Sequence, residues 1–209
     1  MQRHRARFIT LEGGEGAGKS TQARLLADAL VARGLPVLRT REPGGSPGAE
    51  LLRDLLLGAA VSWSAPAETL LHFAARAEHV AKTIRPALDA GMWVVCDRFF
   101  DSTMAYQGHG QGADQSVIAA LTGLLGIVPD LTLVLDVSDG VAAARRAERG
   151  GDTDRYERLD SVFHARVRQG FRDIAAASPY RCVLVDADGS VDAVHTAIMQ
   201  AIDQRCLST

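Results

Sequence analysis

Lys19 lies near the end of LEGGEGAGKST (residues 11–21), a stretch that also carries four glycines, two acids and two hydroxyl side chains. Its inner part, GGEGAGKS, fits the pattern G-x-x-x-x-G-K-[ST] through Gly13, Gly18, Lys19 and Ser20. Each residue type has a chemical reason to be there. Gly13, Gly14, Gly16 and Gly18 let the backbone turn so that successive N–H groups, those of Glu15 and Ala17 included, converge on one cluster of phosphate oxygens. The Lys19 ammonium reaches β- and γ-phosphates, and the Ser20 hydroxyl is a ligand for Mg²⁺. Thr21 follows in the first turn of a helix whose positive dipole end adds to the anion site. The stretch from Gly13 to Thr21 is therefore the expected site for a nucleoside triphosphate, with Mg²⁺ as the metal.

Such a loop works only between a strand and a helix. The apolar segment RFITLE (7–12) precedes it, and STQARLLADALVARG (20–34) follows, with Leu25, Leu26, Ala29 and Leu30 on one helical face and Gly34 and Pro36 as stop signals. Four further short apolar runs recur: PVLRT (36–40), MWVVCD (92–97), LTLVLDV (131–137) and RCVLVDA (181–187). Continuous apolar runs of this length read as strands buried on both faces. Helical spacing marks 65–91, which Pro86 should kink or divide, then 114–126, 139–150, 154–178 and 190–205. Alternation of this kind predicts a P-loop α/β fold of three layers, a five-stranded parallel sheet with helices on both faces. No linker, repeat or low-complexity block interrupts it, so residues 1–209 read as one domain.

The composition excludes several classes. Hydrophobic residues make up 47% and charged residues 23%, ordinary globular values, and the net charge is −2. Broad attraction to nucleic acid or an anionic membrane is not expected, and phosphate binding must be local. No run approaches 18 apolar residues, and the apolar part of the N-terminus, FITL, is too short for a signal peptide. The arginines at 3, 5 and 7 read as a solvated tail. Cys96, Cys182 and Cys206 have neither zinc nor CxxC spacing; Cys96 and Cys182 read as buried apolar residues, and a reducing, cytoplasmic location fits.

A P-loop fixes the phosphoryl donor and leaves the acceptor open. The guanine-reading N-K-x-D of GTPases is missing. A small kinase needs a second site with cations and an aromatic ring, and TREPGGSPGAE (40–50), DRFFDSTMAYQG (97–108) and DRYE (154–157) supply candidates. Together with the P-loop, these strings resemble bacterial thymidylate kinase over about residues 7–205; REPGG and DR-x(3)-ST-x-AYQG are specific to that family.

The resemblance implies ATP and dTMP as ligands, transfer of the γ-phosphoryl to give dTDP, and a homodimer. It places Arg41 on the acceptor phosphate, Phe73 stacked on the thymine and Arg76 at the base edge. Arg98 bridges the acceptor and transferred phosphates. Ser102, Thr103, Tyr106 and Gln107 lie over the acceptor, with Thr103 reading the base and Tyr106 against the deoxyribose. Asp97 organises Mg²⁺ or holds the P-loop; Glu15 steers the acceptor or its metal, or braces the loop. Glu42 and Pro43 shape their loop, and His72 and His79 read as helix-surface or satisfied histidines. Some relatives carry an arginine at the position of Gly16. Here the compensating cation is expected from a lid at about 144–157, with Arg149 the first candidate for catalysis and Arg155 the second; Arg145 or Arg146 instead stacks on adenine. Another small P-loop kinase, such as a deoxynucleoside kinase, is the alternative, and a non-catalytic nucleotide-binding module is a more distant one. Three arginines directed at the acceptor (Arg41, Arg76, Arg98) favour a phosphorylated acceptor.

Overall fold

The computed structural model describes residues 5–58, 61–149, 155–156 and 158–207, with the backbone alone for Arg149. The five apolar runs form β1 (Phe8–Glu12), β2 (Val37–Arg41), β3 (Trp93–Asp97), β4 (Leu131–Asp136) and β5 (Cys182–Asp186). They make one parallel sheet in the order β2-β3-β1-β4-β5. β1, β3 and β4 are buried along nearly their whole length, whereas the edge strands β2 and β5 are partly open. Central strands covered on both faces carry apolar side chains on both, which is why these runs do not alternate. Inside them only Thr10 and Thr132 are polar, their hydroxyls 2.9 Å apart, and the acids stand at the carboxyl ends.

The strand side chains still divide by face. Ile9, Leu11, Val95 and Leu133 pack under α1 (Lys19–Ala32), a core that also takes in Ile198. Phe8, Val94 and Cys96 face the opposite core with Phe73, Ile84 and Ile118. The expected helix over 65–91 is divided into α3 (Ala65–His79), a π-helical stretch Val80–Ile84 and α4 (Arg85–Asp89). The wider turn precedes Pro86, whose missing N–H and ring cannot be held by a regular ladder.

One helix escaped the sequence reading. α2 (Pro47–Leu57) begins inside what reads as a loop, with Ser46 Oγ accepting from the Ala49 N–H at 3.4 Å and Pro47 in the first turn. After β3 come α5 (Phe100–Thr103), a π-helical segment Met104–Gly110 and α6 (Gln115–Leu124). α7 (Asp139–Arg149) follows β4. The helix expected over 154–178 starts only at Ser161, as α8 (Ser161–Ala177), because Asp160 caps it through a 2.7 Å bond from the Phe163 N–H. α9 (Val191–Ile202) closes the fold. Cys96 and Cys182 are buried free thiols. Arg7 departs from the solvated-tail reading: its guanidinium pairs with Asp130 at 3.2 Å. No helix among the described residues is long and apolar enough to cross a membrane.

Candidate active site

Parallel strands bring their carboxyl ends to one side, and here the register aligns Leu11 and Arg41 with Asp97. The turn after β1 is the P-loop. Gly13 adopts φ 139°, and a Cβ there would lie 2.5 Å from the Leu135 carbonyl oxygen, so only glycine fits against β4. α1 begins at Lys19, directly after left-handed Gly18. The Lys19 side chain is buried and donates to the Gly14 carbonyl at 2.7 Å. Burial, and secondarily the Arg98 charge, lowers its pKa to about 8, against the pull of Glu15, Asp97 and Glu12. Ser20 Oγ donates to Asp97 Oδ2 at 2.5 Å, which joins the P-loop helix to the end of β3.

Arg98 follows Asp97 with φ 71°, a left-handed backbone that costs a non-glycine residue of order 1–3 kcal/mol unless its surroundings hold it. Its guanidinium is held on several sides. NH1 donates to the Gly13 carbonyl at 3.1 Å and to Ser102 Oγ at 3.2 Å, and NH2 donates to Tyr106 OH at 3.2 Å and pairs with Glu15. Tyr106 OH in turn donates to Glu15 Oε1 at 2.9 Å, and the Tyr106 ring lies under the guanidinium at 5.0 Å. Glu15 thus braces the loop by tying it to Arg98 and Tyr106. Behind this group, buried Glu12 accepts from the Phe99 N–H at 2.7 Å and from Ser102 Oγ at 2.6 Å. Burial and the Asp101 charge push the Glu12 carboxyl up to about 8 despite those donors.

α3 supplies the next wall. Arg76 is buried, its Nε 2.6 Å from Glu42 Oε2 and its NH2 3.1 Å from the Phe99 carbonyl. Glu42 Oε1 also meets His79 Nδ1 at 3.0 Å, while His79 Nε2 meets Thr40 Oγ1 at 2.7 Å. Glu42 therefore does shape its loop, and it also fixes the direction of Arg76. His79 is fully buried and satisfied rather than on the helix surface.

Phe73 requires a correction. Its ring is buried in the core beneath the Arg76 guanidinium, 4.9 Å away, and it does not line the cleft. On α3 the ring that lines the cleft is His72, four residues before Arg76, so i,i+4 and not i,i+3 sets the face. His72 Nε2 meets Tyr156 OH at 2.9 Å; burial first, then Arg76, Arg98 and Arg155, lower its pKa to about 3, so the ring is neutral. Glu68, wholly buried on α3, gathers this side of the cleft. It accepts from Tyr156 OH at 2.7 Å and from Gln107 Nε2 and Gln111 Nε2 at 2.8 Å each, and pairs with Arg155 at 2.5 Å. Arg155, the second candidate for catalysis, is thus held by Glu68. Tyr156, Glu68 and Glu12 were not singled out by the sequence, since a buried acid in a strand or helix is recognisable only once its donors are in place.

These walls enclose one cleft of about 750 Å³. Glu15, Gly16, Ala17, Gly18, Lys19, Ser20 and Thr21 line one end together with Arg145 and Arg146; Arg41, Arg76, Arg98, Ser102, Thr103, Tyr106 and Gln107 line the other. Arg145 NH2 donates to the Gly189 carbonyl at 2.8 Å, Arg146 NH1 to the Glu15 carbonyl at 3.2 Å, and Arg41 pairs with Glu50 at 3.1 Å. The Arg149 side chain and residues 150–154 of the expected lid, with Asp154 and Glu157 of the DRYE string, lie outside the described residues.

Three buried polar atoms of cleft-lining residues, Gln22 Oε1, Arg76 NH1 and Thr103 Oγ1, have no hydrogen-bond partner among the described residues. A buried donor is costly to leave unpaired, and the Arg76 and Thr103 donors are groups that a polar ligand could satisfy.

Residues 11–198 match the family described as Thymidylate kinase. The thymidylate kinase of Rhizorhabdus wittichii is 56% identical over 200 residues, covering 94% of this chain and 96% of the relative. That of Gluconobacter oxydans is 56% identical over 202 residues, 94% of each. The crystal structure of thymidylate kinase from Ehrlichia chaffeensis superposes with a TM-score of 0.79 at 37% identity, covering 94% of this chain and 98% of that one. The family match spans the P-loop and the REPGG and DR strings, and this chain belongs to the thymidylate kinase family.

Proposed function

We propose that the chain is a thymidylate kinase that transfers the γ-phosphoryl of ATP to dTMP, giving ADP and dTDP for dTTP synthesis, as a single kinase domain with a lid at about 144–157. The observation that carries this reading is the pairing, in one cleft, of a P-loop with an acceptor end holding two unpaired buried polar atoms, Arg76 NH1 and Thr103 Oγ1. Thr103 and Arg76 read the base, and the neutral His72 ring takes the base-facing place that the family pattern assigned to Phe73. Arg41 and Arg98 hold the acceptor phosphate; a guanidinium matches a phosphate dianion through paired donors.

Positioning and charge stabilisation dominate phosphoryl transfer, because the reaction asks little covalent help of the protein. An acceptor phosphate oxygen forms the new bond to the γ-phosphorus while the bond to the β–γ bridging oxygen breaks. Lys19 and Arg98, with Arg149 from the end of α7, are the cations around the charge that develops there. The Ser20 hydroxyl and Asp97 carboxylate are hard oxygen donors 2.5 Å apart beside the P-loop, a set that suits Mg²⁺ held mainly by phosphates and water. Ser20 and Asp97 would hold that ion, which would supply neutralisation of phosphate charge. We place the enzyme in the cytoplasm as a homodimer that needs neither nucleic acid nor membrane. Turnover of purified protein with ATP and each nucleoside monophosphate tests the assignment. Preference for dTMP over dCMP, AMP and GMP is expected; equal rates with those acceptors would remove the substrate claim, and activity on thymidine instead would favour a deoxynucleoside kinase.

A further inference from the structure

Arg98 keeps a left-handed backbone, and the four-residue helix α5 that follows it has no side-chain cap at its start. Something else must hold this segment, which carries Ser102 and Thr103 into the cleft. From the end of β1 Glu12 grips it through Phe99 N–H and Ser102. On the other side stands Arg181, the residue before β5, which does not line the cleft.

Arg181 is 8% exposed and Asp101, in the middle of α5, is 2% exposed. Their contact is a two-pronged pair, NH1 to Oδ2 at 2.7 Å and NH2 to Oδ1 at 2.8 Å. NH1 also donates to Thr132 Oγ1 at 3.1 Å, fixing the guanidinium to β4, and its carbon lies 5.1 Å from the centre of the Phe100 ring. One side chain from the far edge of the sheet therefore clamps two consecutive residues of α5 and ties them to a central strand. A fork of this kind fixes direction as well as distance, which a lysine cannot copy.

We propose that Arg181, acting through Asp101 and Phe100, is a positioning residue for the acceptor: it sets where Arg98, Ser102 and Thr103 meet the monophosphate without touching it. The proposal rests on the dTMP kinase reading above, because the acceptor is the ligand it orders. A displacement of about 1 Å at a positioning group can cost up to roughly a hundredfold in rate. The P-loop end is built on β1 and α1, so the donor should not feel the change.

Steady-state kinetics of Arg181→Lys, Arg181→Met and the double variant Asp101→Leu/Arg181→Leu, each with a thermal melt, test this. Arg181→Met leaves a buried carboxylate unpaired and should also melt lower, whereas the double variant removes both charges and recovers much of that loss. The expected result is a KM for dTMP raised about tenfold or more in Arg181→Met and in the double variant, with the KM for ATP within about twofold of the parent. Arg181→Lys, which keeps the charge and loses the fork, should fall between and remains folded. The proposal is overturned if Arg181→Lys and the double variant bind dTMP like the parent, or if the KM for ATP rises in step with that for dTMP. Should the parent itself fail to phosphorylate dTMP, the functional assignment falls first, and the two failures are distinguishable.

Discussion

A buried lysine keeps its proton only while the surroundings offer it enough negative charge. Lys19 is walled in by the P-loop and faced by Arg98, and its pKa falls to about 8 from an ordinary 10.5. Below that value the ammonium is present to meet triphosphate; above it the free enzyme loses the charge. Because kcat/KM reports groups of the free enzyme, kcat/KM for ATP should decline as pH rises past about 8, and a pH profile flat to pH 10 would contradict the role. Lys19→Ala should lower kcat by about two orders of magnitude or more, measured at saturating substrates. A second cation, Arg149, is expected to act on the transferring group: Arg149→Ala should reduce kcat while the KM for dTMP changes little. If KM alone moves, a different lid residue carries the charge. Lys19, Ser20, Asp97 and Arg98 were legible in the sequence because each sits at a fixed offset within a motif. His72 was not, because adjacent aromatic residues on a helix differ by 100° in direction and composition does not say which one faces the ligand. Phe73 turned inward because the core beneath α3 has room for a larger apolar ring, and the smaller polar one took the cleft.

At the scale of elements, the P-loop and α7 are built against one another. Gly16 has φ 81°, and a Cβ on it would come within 2.6 Å of the Ala142 carbonyl oxygen in α7. The absence of a side chain at 16 thus lets the basic helix close on the loop, where Arg146 reaches the Glu15 carbonyl. Gly16→Ala should therefore displace α7, lower the Tm by about 2–4 °C for each kcal/mol of strain, and reduce kcat more than Gly14→Ala, since Gly14 has open space at its Cβ. Equal kcat for the two variants would separate α7 from the chemistry. The strands were readable because the central ones are apolar at most positions on both faces, and their bounds came out within a residue or so. α2 was missed because Ser46, Pro47 and Gly48 look like a turn until the serine is seen as a cap. The interruption at Val80–Ile84 needed the geometry, since a proline signals that a helix must yield and not how.

Over the whole molecule, the acidic and basic side chains nearly cancel, so charge does not keep copies apart. Several of the exposed apolar side chains fall on neighbouring helices. Leu51 and Leu55 on α2 are 70% and 53% exposed, Leu70 on α3 56%, and Leu124 at the end of α6 82%. α2 packs on α3, and α3 on α6, so three neighbouring helices present leucines to solvent in the single chain. Leu51 and Leu55 are four apart, one turn along the same face of α2. A face of this kind suits a self-complementary twofold contact, where each leucine meets the same surface on a second copy. The Phe8 and Phe73 core that carries Arg76 lies directly behind α3, so pairing through this face would stiffen the acceptor wall without entering the cleft. Leu51→Glu/Leu55→Glu should accordingly convert a dimer to a monomer in sedimentation at micromolar concentration, with the melt of the isolated fold little altered because neither side chain is buried in it. A parent protein that sediments as a monomer, or a double variant that remains dimeric, would place the contact elsewhere or remove it.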